Sequence, residues 1–167
     1  WQAELNRHFP VQPVALTASS VTRLERELPP GVSLFQHHPV VVVSLDYIKS
    51  DRHRAHFLAI APECIVVDEA HSCSTGGQSR QLRFELLRQL ADDAERHLIL
   101  LTATPHSGDD SAFHNLLSLL RKDFAQLAEA DEPTRRRLRE ELAAHFVQRR
   151  RKDIEEWQDV NVFPRRL

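Results

Sequence analysis

The sequence contains no methionine in 167 residues. Its first residue, Trp1, is too bulky for removal of an initiator to account for that gap, so the chain reads as a piece of a longer polypeptide. Glycine is scarce as well. Gly31, Gly76, Gly77 and Gly108 are the four present, and none stands in a G-x-x-x-x-G-K-[ST] setting, so this stretch carries no phosphate-cradling loop of that type. Cys64 and Cys73 are too few for a disulfide framework and point to a reducing, cytoplasmic setting. No apolar run approaches the ~20 residues of a membrane-crossing helix, no signal-peptide pattern opens the chain, and no membrane partner is expected. A net charge of −2 argues against a globally basic nucleic-acid binder; any such binding has to be local.

What is present is ordinary for a water-exposed globular chain: 41% hydrophobic and 28% charged residues, enough for one domain with a sizeable core. Strand-like and helix-like segments alternate. Trp1, Leu5 and Phe9 share a helical face, Val11–Thr17 reads as a short strand, and Leu24 and Leu28 suggest a helix stopped by Pro29-Pro30-Gly31. Val40–Leu45 is a near-continuous apolar run, as for a strand covered on both faces, and Asp46 is placed to cap a helix running to about Ala59. The Cys64–Val67 strand follows, with Cys64 expected to be buried, then a polar loop and a helix striped by Leu82, Leu86, Leu87 and Leu90. His97–Thr102 is a further buried strand, and Phe113, Leu116, Leu117 and Leu120 mark the next helix. Strands alternating with helices predict a mostly parallel α/β sheet flanked by helices. From Lys122 the strand pattern stops. Leu138, Leu142 and Phe146, at four-residue spacing, predict a charged helical extension, which divides the chain at 1–121 and 122–167.

Ligands of open α/β sheets bind beyond the carboxyl ends of the strands. Polar residues stand at such ends in SLDY (Ser44–Tyr47), DEAH (Asp68–His71) and TATPHSG (Thr102–Gly108). Phosphoryl transfer from a nucleotide needs a cation on the phosphates and a group that orients the attacking water. An Asp fixed by a buried strand can hold the Mg²⁺ shell through water, and a Glu on the turn after it can polarise the nucleophile. The bland alternative is a strand that surfaces with two solvated acids. DEAH behind four apolar residues, with TATP downstream, favours the chemical reading.

At this point the chain resembles a known family. VVDEAH resembles motif II, the Walker B segment, of superfamily-two helicases, and LTATPHSG resembles their motif III. WQAEL (Trp1–Leu5) is similar to the segment just after motif Ia in the SWI/SNF-type branch, VVVSLDYIKS to its motif Ib region, and FVQRRRKDIEEW followed by FPRR to the basic connection between lobes. Within that branch the likeness is to bacterial members, the RNA-polymerase-associated HepA/RapA type and the helicase of DISARM anti-phage systems. The resemblance implies a partial RecA-like lobe of a P-loop NTPase. Its phosphate loop would precede Trp1, and its second lobe, with an arginine finger, would follow Leu167. It implies ATP and Mg²⁺ as ligands and double-stranded DNA as partner, with RNA polymerase or defence-system subunits as further partners. Asp68 would hold Mg²⁺ and Glu69 would be the catalytic base. His71 would join the γ-phosphate site to motif III, where Thr102, Ala103 and Thr104 would couple nucleotide state to DNA grip. Ser44, Tyr47, Arg149 and Arg150 fall where the family contacts DNA. The function implied is part of an ATP-dependent DNA translocase or helicase. The alternative is a non-hydrolytic DNA- or protein-binding module derived from such a lobe.

Two blander signals remain. Pro133–Lys152 holds eight basic residues against two acidic ones, which suits either a phosphate-tracking surface or a solvated helix face laced by pairs such as Arg136–Glu140, Arg137–Glu141 and Arg151–Glu155. The spacing of Cys64, His71 and Cys73 supports no closed zinc site.

Overall fold

The structure, a computed structural model, describes residues 1–74, 77–105 and 110–149. The chain divides into two compact units, Trp1–Ala125 and Gln126–Leu167. The first opens with α1 (Gln2–His8), β1 (Val14–Leu16), α2 (Val21–Glu27), α3 (Leu34–His37) and β2 (Val41–Val43). It continues with α4 (Leu45–Ile48), α5 (Asp51–Ile60), β3 (Cys64–Val67), a 3-10 turn at Ala70–Cys73, α6 (Gly77–Ala91), β4 (His97–Leu100) and α7 (Asp110–Leu120). The second unit contains α8 (Glu132–Leu142).

Both strand pairings are parallel, as the alternation of strands and helices predicts. β1 lies beside β2 in the register Val14–Val41 to Leu16–Val43, and β3 lies beside β4 in the register Cys64–His97 to Val67–Leu100. Each pair is joined by helices, because a parallel return needs a crossover of a dozen or more residues. The core of the first unit is built on one face of the β3–β4 pair. Val67 is buried there with Ile48, Phe57, Leu86, Leu87, Leu90, Leu116 and Leu119, and Ile65, Leu98 and Leu100 pack against this group. A smaller cluster, Leu16, Val21 and Leu34, sits under β1 and β2.

Four expectations need correction. Cys64 is exposed, and β3 and β4 are covered on one face only: Val66 is 52% and Ile99 46% exposed. Their apolar composition read as burial, but the alternate side chains that point away from α6 and α7 meet no cover among the described residues. The β2 strand, expected to be covered on both faces, is only partly buried along its length. The helix expected after β2 is two helices, and Asp46 caps neither. The Ser44 side chain accepts from the backbone N–H of Asp46 at the start of α4, and Ser50 stands at the start of α5. Asp46 is instead an ion-pair hub, 2.8 Å from Lys49 Nζ and 2.6 Å from Arg83 Nη2 of α6. Finally, α8 ends at Leu142, so Phe146 lies beyond it.

In the second unit, Asp131 caps α8 by accepting from the Thr134 N–H, and Pro133 occupies the first turn, where its missing N–H costs nothing. Arg136 and Arg137 pair with Glu140 and Glu141 as the spacing predicts. The Arg151–Glu155 pair, like Arg150 and the FPRR segment, lies outside the described residues.

Candidate functional site

The β3 strand delivers DEAH to its carboxyl end, where Asp68 and Glu69 are both exposed. The chain must turn sharply there to enter the 3-10 turn. It does so at Glu69, whose φ of 50° and ψ of 44° are left-handed, the one non-glycine among the described residues with positive φ. Such a conformation is disfavoured for a residue with a Cβ and is found where a neighbouring frame imposes it. The frame here is visible. The ladder runs on past the strands: Leu101 N–H donates to the Val67 carbonyl at 2.8 Å, and Ala70 N–H donates to the Leu101 carbonyl at 2.9 Å. Ala70 and Cys73 are fully buried beneath the turn, which anchors it.

The side chains form a short polar chain across the two strand ends. His71 Nδ1 lies 3.2 Å from Glu69 Oε2 and 3.1 Å from Thr102 Oγ1. A carboxylate only accepts, so the Glu69 contact calls for the imidazole proton on Nδ1. Thr102 Oγ1 in turn accepts from the Thr104 backbone N–H at 3.2 Å, which shapes the TATP loop. The Ser74 hydroxyl donates to the His71 carbonyl at 2.6 Å and ties off the turn. Asp68 is held separately: Glu69 N–H donates to its Oδ1 at 2.9 Å, and the Trp1 indole N–H donates to its Oδ2 at 2.7 Å. Burial pushes the Cys73 thiol up from its ordinary range, so this neighbour of the site is a packing group and not a nucleophile.

Of the residues singled out in the sequence, Glu69, His71, Thr102 and Thr104 are thus linked in one series of contacts, with Asp68 beside them and joined through the Glu69 N–H. Ala103 lies between the two threonines and is exposed. Ser44 and Tyr47 stand at the end of the other strand pair. Ser44 is the α4 cap, and the Tyr47 ring stacks on His53 with centroids 4.2 Å apart. Arg149 is exposed, Arg150 lies outside the described residues, and so do His106, Ser107 and Gly108 of the motif III segment. No local pattern marks Trp1 as a partner of Asp68, since 67 positions separate them.

No group of three or more His, Cys, Asp or Glu side chains able to hold a metal ion occurs among the described residues. Among the described residues the site thus offers no closed protein cage. A single exposed carboxylate beside a second one suits Mg²⁺, which keeps most of its waters and takes one or two carboxylates together with phosphate oxygens. In that sense the donor set fits.

The SNF2-related domain family matches residues 1–157. The chain belongs to this family. Among curated proteins, the SNF2-related chain is 31% identical over 115 residues to the ATP-dependent helicase YqhH of Bacillus subtilis, a match covering 65% of the chain and 20% of that protein. It is 29% identical over 118 residues to the RNA polymerase-associated protein RapA of Yersinia enterocolitica, covering 70% of the chain and 12% of that protein. The chain thus spans a fifth or less of the length of these relatives. Membership of the SNF2-related family accounts for the architecture described above: parallel strand pairs, crossover helices and DEAH and TATP at neighbouring strand ends are those of part of a RecA-like lobe. No helix among the described residues is long and apolar enough to cross a membrane.

Proposed function

We propose that this chain is the motif-bearing part of an ATP-dependent DNA translocase, residues 1–121 belonging to the ATP-binding lobe and 122–167 to a connector toward a second lobe. The observation that carries the reading is the contact series Glu69–His71–Thr102, which joins the two strand-end motifs through one imidazole. Mg²⁺, when bound with ATP, supplies charge neutralisation on the phosphates. Asp68 would hold the ion's water shell. Glu69, exposed and on a turn, accepts a proton from an attacking water at its carboxylate oxygens. His71 fixes the orientation of that carboxylate and senses, through Thr102 Oγ1, the conformation of the Thr102–Ala103–Thr104 segment.

The partner class that fits is duplex DNA, with Ser44, Tyr47, Arg149 and Arg150 as the contact residues, acting in the cytoplasm. Because one relative is named for its association with RNA polymerase, that enzyme is a candidate protein partner; subunits of an anti-phage defence system are the other. The sequence contains no G-x-x-x-x-G-K-[ST] loop, so the 167-residue chain by itself is expected to turn over ATP negligibly.

The test is made on the polypeptide as its gene encodes it. Glu69→Gln is expected to abolish DNA-stimulated ATP hydrolysis, a loss of at least about 100-fold, while ATP still binds. Hydrolysis that survives the substitution would remove Glu69 from the chemistry. Absence of both hydrolysis and ATP binding in the unsubstituted protein would establish the alternative, a binding module built on a helicase lobe.

A further inference from the structure

The Asp68 carboxylate is held from two directions before any ligand arrives. Glu69 N–H reaches Oδ1 from within the same turn, and the Trp1 indole reaches Oδ2 from the start of α1. The α1 end is itself fastened down: Gln2 Nε2 donates to the Pro13 carbonyl at 2.8 Å, just ahead of β1. At 2.7 Å the indole contact is at the short end for a nitrogen donor. The Trp1 N–H is directed at the carboxylate.

The chemistry of the donor matters. A carboxylate offers about four lone-pair sites, and these N–H groups use one on each oxygen, leaving the remainder for a cation's water. An Arg or Lys in the place of Trp1 would neutralise the carboxylate and repel the ion. An indole N–H fixes the rotamer and leaves the negative charge intact. It is also a donor only, so it cannot take the ion for itself.

We infer that Trp1 is a positioning residue for Asp68: its indole N–H holds the carboxylate in the orientation in which it takes a hydrated divalent cation. The inference rests on the reading of Asp68 as the Mg²⁺-holding residue and adds to it a group, remote in sequence, on which the ion's affinity depends. Partners that orient the residue holding a metal alter metal affinity by about 10–100-fold when removed. Because this carboxylate is exposed, the effect of Trp1 falls at the lower end of that range.

The experiment uses the ¹⁵N-labelled polypeptide as its gene encodes it, with Mn²⁺ as a paramagnetic probe in place of Mg²⁺. The Trp1 indole signal is the one that Trp1→Phe removes. Asp68→Asn is expected to move the Trp1 indole signal and to abolish the broadening that Mn²⁺ causes in it. Trp1→Phe keeps a ring and removes the donor. With Mn²⁺ binding then read on the Glu69 backbone amide, it is expected to raise the half-saturating Mn²⁺ concentration about tenfold at an unchanged melting temperature. An indole signal unmoved by Asp68→Asn overturns the inference. So does a Trp1→Phe chain that binds Mn²⁺ as tightly as the unsubstituted one, and in that case the Asp68 reading stands if Asp68→Asn still removes binding. Mn²⁺ broadening that is absent from the unsubstituted chain, or that survives Asp68→Asn, defeats the Asp68 reading and the inference with it.

Discussion

Replacing Glu69 by glycine should stabilise the protein relative to replacing it by alanine. Both substitutions remove the same exposed contact to His71, so that contribution cancels, and what remains is the backbone. At φ 50° and ψ 44° an L-residue is held in the left-handed region, which costs a Cβ-bearing residue about 1–2 kcal/mol. Glycine is free of that cost but loses more chain entropy on folding, by about 0.5–1 kcal/mol. The difference leaves Glu69→Gly ahead of Glu69→Ala by roughly 0.5–1 kcal/mol. For a chain of this size that is a rise in Tm of about 1–4 °C, measurable by circular dichroism melts or urea titration of the two variants side by side. At an ordinary helix or strand position the order is the reverse, with alanine ahead, so the sign alone decides. Glu69→Asn, which tolerates left-handed backbone through its short polar side chain, should fall between them. Glycine less stable than alanine at position 69 would show that the turn relaxes out of the left-handed conformation and that DEAH carries no backbone strain.

Leu86 is fully buried in α6 against the β3–β4 face, and Leu86→Ala should cost about 2–5 kcal/mol by denaturant titration; a cost under 1 kcal/mol would show that α6 is not part of the cooperative core. Thr102→Val removes the oxygen shared by His71 and Thr104 while keeping its shape. Because Thr104 is exposed and can turn to water, stability should change by less than about 1 kcal/mol, whereas DNA stimulation of ATP hydrolysis in the polypeptide as its gene encodes it should fall with ATP affinity retained. Asp46 is held below its ordinary value of 3.8, first by the hydrogen bond from Lys49 and then by Arg83. A lowered carboxylate stabilises the fold above its unfolded value, and that contribution is lost as pH falls through the folded one. The difference in melting temperature between the unsubstituted chain and Asp46→Asn should therefore shrink on the acid side of pH 3.8, and should shrink also with added salt, since the carboxylate is exposed. A difference that persists in acid would mean that Asp46 acts through packing.

How far the sequence discloses this structure depends on how local each feature is. The Cys64–Val67 strand could be placed residue for residue because charged Glu63 and Asp68 bracket a continuous apolar run. The leucine stripe of α6 was equally plain. The four-residue α3 was not, since Leu34–His37 is too short to show a helical period. The break between α4 and α5 was missed because serine and aspartate are both good caps, and only packing decided that Asp46 would face Lys49 and Arg83 while Ser44 took the helix end. Exposure of Cys64, Val66 and Ile99 was invisible for a different reason. Apolarity shows what a face prefers, and says nothing about whether anything covers it. At the candidate site, DEAH and TATP were legible as motifs, while the His71 bridge needed β3 and β4 to be neighbours. The Trp1–Asp68 contact depends on where α1 starts relative to β3, which no local pattern encodes.

The ladder that continues from Val67 to Ala70 and from Leu100 to Leu101 has a mechanical consequence. It welds the two strand ends into a single rail, so neither can advance along the other without breaking backbone hydrogen bonds one after another. What can move cheaply between them is a side chain: rotation of one imidazole, on the picosecond-to-nanosecond scale of rotamer changes. Under the proposed function, news of the nucleotide would cross from Glu69 to Thr102 as a torque on His71 and not as a slide of one strand along the other.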